Sequence, residues 1–224
     1  MDRVPLIILA ATWLQLLPVA GLLLPRGRGT SARVWVGLAL LASFAGDMTQ
    51  YFLSRQRVNN LWVGYIATAI YCMAVILALT VWQTTPRAAR ACRIGLGLYV
   101  VLWGLTPLIE NLQQFSLVVI PAQYIFVFVL CIWTLVRNSL RDRPEPLYRY
   151  DWFWICAGFA LSFGAASAIQ PVANVFIARG QLENAAAAFI FRAWIHSAAM
   201  LLVATGVLWA RSTAPSSLSL SPAP

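Results

Sequence analysis

The chain has 224 residues, of which 61% are hydrophobic and 10% charged, and its mean hydropathy is +0.75. That composition excludes a soluble globular domain and describes an all-α, polytopic membrane protein with room for about seven spans of roughly 20 residues. The net charge of +9 comes from arginines scattered among the turns, not gathered on one face, so no nucleic-acid partner is expected.

In chain order the apolar stretches of spanning length are Val4–Leu24, Val34–Ser54, Leu61–Trp82, Ile94–Leu112, Phe115–Val136, Trp152–Ala178 and Ala185–Ala210. They predict a seven-helix transmembrane domain over 1–211, followed by a Ser/Pro/Ala-rich tail over 212–224 that is too polar to bury a core and is expected to be disordered. Pro25–Arg33, Gln83–Arg93 and Arg137–Asp151 read as turns, and together with Arg211 before the tail they hold eleven arginines; the opposite side holds Arg3, Arg55, Arg57 and Arg179. The positive-inside rule then sets the amino terminus outside and the carboxyl terminus inside. The first span has a rival reading as a cleaved signal peptide, because Pro18-Val19-Ala20-Gly21 presents small residues to a peptidase; six spans would then remain. Abundant arginine and alanine without lysine resemble the codon bias of a high-GC bacterial genome, which points to the bacterial cytoplasmic (inner) membrane. Trp35, Trp62, Trp82, Trp152 and Trp154 fall near span ends and read as interfacial anchors. Pro107, Pro121 and Pro171 are expected to kink their helices.

Polar residues inside the spans mark the candidate site, since a charge in hydrocarbon is costly and seldom idle. At about 1.5 Å of rise per residue, Asp47 and Gln123 lie about 10 Å below the outer ends of their spans and Arg192 about 12 Å. Gln170 and Asn174 come out at about 13 and 8 Å, and Tyr65 and Thr68 at about 8 and 12 Å. Residues three and four apart share a helix face, so Asp47, Gln50, Tyr51 and Ser54 form one stripe. Tyr65, Thr68 and Cys72 form a second, Gln170 and Asn174 a third, and Arg192 and His196 a fourth. Stripes at one depth predict an outward-facing polar pocket between helices, with Asp47 and Arg192 as an ion pair. Arg192 suits an anionic group because guanidinium binds carboxylate or phosphate bidentately. The ligand-binding set is therefore Asp47, Arg192, Gln50, Tyr51, Tyr65, Thr68, Gln123, Gln170 and Asn174; membrane lipids and a small anionic or lipid-like molecule are the expected partners. His196 lies deeper, at about 18 Å, and reads first as a hydrogen-bonded core residue. Glu110, near an outer end and followed by Asn111, Gln113 and Gln114, reads as an interfacial carboxylate that adds a second acid if it turns inward.

Several classes are excluded. Without lysine there is no retinal Schiff base, and one histidine cannot build a zinc site, so no cofactor or metal is expected. The cysteines, Cys72, Cys131 and Cys156 within spans and Cys92 in an inner turn, form no CxxC and read as core fillers.

Gly46-Asp47 followed by Arg55-Gln56-Arg57 and an apolar span resembles the second and third spans of the lysoplasmalogenase family, multi-span enzymes that hydrolyse a vinyl ether. That resemblance implies a catalytic Asp47, with Glu110 or His196 as the acid–base partner; the family's second intramembrane aspartate and one of its spans are not evident. Asn59-Asn60-Leu61-Trp62, with Tyr65, Thr68 and Tyr71, resembles small uncharacterised seven-span bacterial membrane proteins, which imply no activity. An internal echo aligns Ser43-Phe44 with Ser162-Phe163 and, through Asn60 and Asn184, Thr68 with Arg192. It would make spans 1–3 and 5–7 parallel repeats of a small transporter. A receptor-like ligand-binding protein is the leading expectation, with the hydrolase and the transporter as alternatives.

Overall fold

A computed structural model describes residues 6–23, 31–140 and 145–209, and the regular elements among them are helices. In order they are α1 (Leu6–Leu14), α2 (Leu16–Leu23), α3 (Ser31–Arg55), α4 (Leu61–Val81), α5 (Pro86–Gly104), α6 (Thr106–Ile109), α7 (Val119–Ser139), a short 3-10 turn (Leu147–Arg149), α8 (Asp151–Ala178) and α9 (Leu182–Leu208). Among the described residues six apolar segments are long enough to cross a membrane: Leu6–Leu23, which joins α1 and α2, and helices α3, α4, α7, α8 and α9. Their number and hydropathy describe a multi-pass membrane protein.

Local chemistry explains the element boundaries. The first segment breaks at Gln15, whose N–H reaches back only to Thr12 O at 3.2 Å, while Pro18 has no N–H to offer the Leu14 carbonyl. Helix α5 starts eight residues before the predicted span at Ile94, because Thr85 caps it through Oγ1 to Ala88 N at 3.3 Å and Pro86 occupies its first turn. Arg87, Arg90, Cys92 and Arg93 therefore lie on a helix and not in a turn, and Cys92 is fully buried. Pro107 separates α5 from α6. Pro121 falls in the first turn of α7, where its missing N–H needs no intrahelical partner; of these three prolines Pro171 is the one interior to a helix.

The six apolar segments form a ring in which α3 packs on α4, α4 on α7, α7 on α8, α8 on α9, and α9 on the α1–α2 segment, which returns to α3. Helix α5 packs against α4 and α7. Small residues allow the closest crossings. An added Cβ on Gly46 would stand 2.3 Å from Ala67 Cβ across α3 and α4, and one on Gly158 would stand 2.6 Å from the Ala199 carbonyl across α8 and α9.

One half of the ring is a dry core of Val75, Ile76, Leu79, Cys131, Ile155, Cys156, Met200 and Val203. Trp152 and Trp82, expected at the surface of the span ends, are buried in it instead, packed among the side chains of neighbouring helices. At this end Arg33 Nε donates to Asp151 Oδ2 at 2.9 Å in a fully buried ion pair, Arg137 donates to Thr85 Oγ1 at 3.0 Å, and Asn138 Nδ2 donates to Trp82 O at 3.3 Å. At the opposite end, Asn59 Nδ2 donates to Gln113 O at 3.1 Å and Asn174 Nδ2 to Ser116 O at 2.6 Å, tying the connection before α7 to the one before α4 and to α8.

Candidate functional site

Beneath those connections lies a cavity of about 470 Å³, within the usual range for small-molecule sites. Its walls come from α1, α3, α4, α7, α8, α9 and the 114–116 segment, while α5 contributes nothing. Helical spacing explains the selection. Asp47, Tyr51 and Ser54 share one face of α3, Thr68 and Tyr71 one face of α4, and Phe189, Arg192 and His196 one face of α9. The floor is aromatic, with Tyr71 and Phe163 stacked at 5.0 Å between centroids and Tyr124 at 5.7 Å from Phe163.

The structure brings Asp47, Gln50, Tyr51, Tyr65, Thr68, Gln170 and Arg192 to this cavity, together with His196. Gln123 and Asn174 do not line it. Gln123 turns toward α5 and accepts from Tyr99 OH at 3.0 Å. Asn174 stands behind the wall, accepting from Gln170 Nε2 at 3.3 Å while it holds the Ser116 carbonyl. Cys72 also points away, into the core, and Tyr71 takes the place on α4 that the stripe assigned to it.

The expected Asp47–Arg192 ion pair does not form: among the described residues the pairs within 4.0 Å are Arg33–Asp151 and Arg149–Glu145. Asp47 Oδ2 accepts instead from Gln15 Nε2 at 2.9 Å. Arg192 Nη1 donates to Gln170 Oε1, and its guanidinium lies over the Tyr124 ring, 5.7 Å from the centroid. The physical reason is lateral: the α1–α2 segment stands between α3 and α9 in the ring, and Gln15 at its break donates to the carboxylate instead. Asp47 is nonetheless exposed to the cavity and Arg192 half-buried, so both charges meet its interior.

Glu110 is a capping group, not a second acid beside Asp47. Its Oε1 accepts from the backbone N–H of Leu117, Val118 and Val119 at 2.9, 2.6 and 3.3 Å, and its Oε2 from Ser116 Oγ at 2.6 Å and Tyr65 OH at 3.2 Å. A carboxylate at the start of α7 satisfies N–H groups that the helix leaves unpaired. Partial burial pushes its pKa up, but the Ser116 and backbone donors outweigh that and hold it below the ordinary value of 4.5.

His196 Nδ1 meets Ser162 Oγ at 2.9 Å, and its Nε2 is buried without a protein partner, as is the Tyr71 hydroxyl. No group of three or more His, Cys, Asp or Glu side chains among the described residues is arranged to hold a metal ion. All four cysteines are free and buried.

No family model matches the chain, and neither a curated protein nor a solved structure does. The site must be read from its own chemistry.

Sequence reasoning missed two residues of the site, Gln15 and Tyr124, and the Arg33–Asp151 pair at the far end of the bundle. Gln15 sat in an apolar run, and its only signals were an amide inside a span and a proline three residues on. Tyr124 passed as one more aromatic. Arg33 and Asp151 were assigned to separate turns, and nothing in their spacing of 118 residues links them.

Proposed function

We propose that the chain is a seven-span protein of the bacterial cytoplasmic membrane whose cavity opens to the outside and binds a small anionic or lipid-like ligand, as a receptor or sensor does. The observation that carries this reading is an arginine in the cavity wall with no carboxylate in contact. Its guanidinium is oriented by Gln170 and Tyr124, which leaves its remaining donors for an oxyanion. A buried cation without an anion is unfavourable, and a bound carboxylate or phosphate supplies the missing charge.

The seventh span is α5 with α6, whose Leu98, Val101, Leu102, Leu105 and Leu108 form an exposed apolar surface suited to lipid. Orientation follows from charge. Arg33, Arg87, Arg90, Arg93, Arg137 and Arg149 belong to the end away from the cavity, whereas Arg55, Arg57 and Arg179 belong to the cavity end. The dry core below Tyr71 and Phe163 favours a closed binding site over a transport pathway. Signalling would run along α8, which carries Gln170 at the cavity and Asp151 beside the 145–151 connection.

Two measurements test the reading together. A cysteine replacing Gln50 should react with a membrane-impermeant maleimide applied to the periplasmic face, and one replacing Val75 should not. Dodecyl phosphate should raise the melting temperature of the protein in nanodiscs and fail to do so for Arg192→Gln. Labelling of Gln50→Cys only from the cytoplasmic face would reverse the orientation, and equal stabilisation of the Arg192 variant would remove the anion site.

An intramembrane hydrolase is the second reading, favoured by the Ser162–His196 hydrogen bond at the cavity floor. Turnover of lysoplasmalogen by purified protein, lost in Asp47→Asn, would support it over a binding role.

A further inference from the structure

The cavity holds two opposite charges that do not meet. Asp47 projects from α3 and Arg192 from α9, with α1 between these helices, and each is positioned by an amide and not by the other. Gln15, itself almost wholly buried, donates to one carboxylate oxygen of Asp47, and the Thr12 hydroxyl stands beside the same carboxylate, which still faces the cavity. Gln170 is fixed by its own Nε2 contact to Asn174, which turns its Oε1 toward Arg192 and occupies one side of the guanidinium. Two amides thus orient the two charges while keeping them apart. A direct contact would neutralise both and remove any need for a ligand, whereas separated charges at an accessible cavity surface are best satisfied by one molecule carrying both signs.

We propose, resting on the ligand-cavity reading above, that the ligand is a zwitterion, with an ammonium group bound by Asp47 and a carboxylate or phosphate bound by Arg192. This goes beyond an anion site, because it assigns Asp47 to the ligand instead of to Arg192. The chemistry is shared by free amino acids or aminophosphates and by the headgroups of amine-bearing lipids. The cavity separates these only by whether an acyl chain adds affinity.

The test uses full-length protein in nanodiscs of phosphatidylglycerol, which lack amines, and probes paired so that one member has the amine and the other does not. The pairs are β-alanine with propionate, O-phosphoethanolamine with ethyl phosphate, and lysophosphatidylethanolamine with lysophosphatidic acid. Calorimetric titration should give the amine-bearing member of at least one pair an advantage of about ten- to hundredfold, the range expected for a charge-assisted contact. Preference within a soluble pair identifies a free zwitterion, and preference confined to the lysolipid pair identifies a headgroup. In Asp47→Asn the preferred pair should converge to equal affinity, and in Arg192→Gln both members should weaken together. Wild-type protein that binds both members of every pair equally, or that binds none, overturns the proposal without any variant having to fold. So does a preference that survives Asp47→Asn. Labelling of Gln50→Cys reports separately on the outward cavity, so that reading can stand when the zwitterion fails.

Discussion

The crossing of α3 and α4 offers a sharp physical test, because Gly46 is the residue before Asp47. A Cβ added at Gly46 would lie 2.3 Å from Ala67 Cβ, whereas non-bonded carbons rest at about 3.5–4.0 Å, so the two helices must part by more than about 1 Å. Overpacking of this kind costs about 1–3 kcal/mol, and the better helix propensity of alanine returns up to about 1 kcal/mol. Gly46→Ala should therefore destabilise the protein by about 1–2 kcal/mol. The obstructing atom is a single methyl carbon, and the next nearest, Ala67 Cα at 3.8 Å, is in ordinary contact. Ala67→Gly should consequently rescue Gly46→Ala, with the double variant close to wild type and a coupling energy above about 1 kcal/mol. Gly97→Ala serves as the control: nothing lies within 4 Å of its added Cβ, so it should be neutral or stabilising by up to about 1 kcal/mol. Equilibrium unfolding by SDS in mixed micelles, followed by near-ultraviolet circular dichroism, measures the wild type, both single variants, the double variant and the control. Additive effects in the double variant, or a Gly46→Ala no less stable than Gly97→Ala, would refute the close crossing.

Other outcomes follow from the caps and the buried pair. Glu110→Gln should lower stability by about 0.5–2 kcal/mol, the usual worth of a helix cap. Because the folded pKa of Glu110 lies below 4.5, its stabilisation is complete above that pH and is lost as pH falls through the depressed folded value; a stability titration from pH 6 to 3 should be flatter in the variant. Removing one partner of the buried Arg33–Asp151 pair, as in Asp151→Leu, should cost about 3–5 kcal/mol, and Arg33→Met combined with Asp151→Leu should recover part of that loss in the same unfolding assay. The four native thiols should resist a soluble maleimide in folded protein and react on denaturation, since each is buried; rapid labelling of Cys72 or Cys156 without denaturant would contradict the dry core.

Much of the outline was legible in the sequence. Hydropathy locates spans because every backbone polar group in hydrocarbon must be satisfied within a helix, so long apolar runs have few alternatives. Helical spacing likewise places Asp47, Tyr51, Thr68, Arg192 and His196 on faces that the structure turns to one cavity. Spacing along one helix carries no information about its rotation against neighbours, and there the reading stopped. Gln123 and Asn174 lie at suitable depth yet face Tyr99 and Ser116, and Glu110 is consumed by the start of α7. The start of α5 was obscured because three arginines suppress hydropathy where Thr85 and Pro86 nevertheless begin a helix.

The amino-acid order by itself determined that the chain is helical and apolar, and that a few charged and amide groups must share its interior, since burial costs apply to a residue wherever its helix goes. Only the packing of helices decided which of those groups meet. It set Gln15 against Asp47 and Gln170 against Arg192, and it joined Arg33 to Asp151, because contacts between helices depend on azimuth and on small-residue crossings such as Gly46–Ala67 that no single segment encodes.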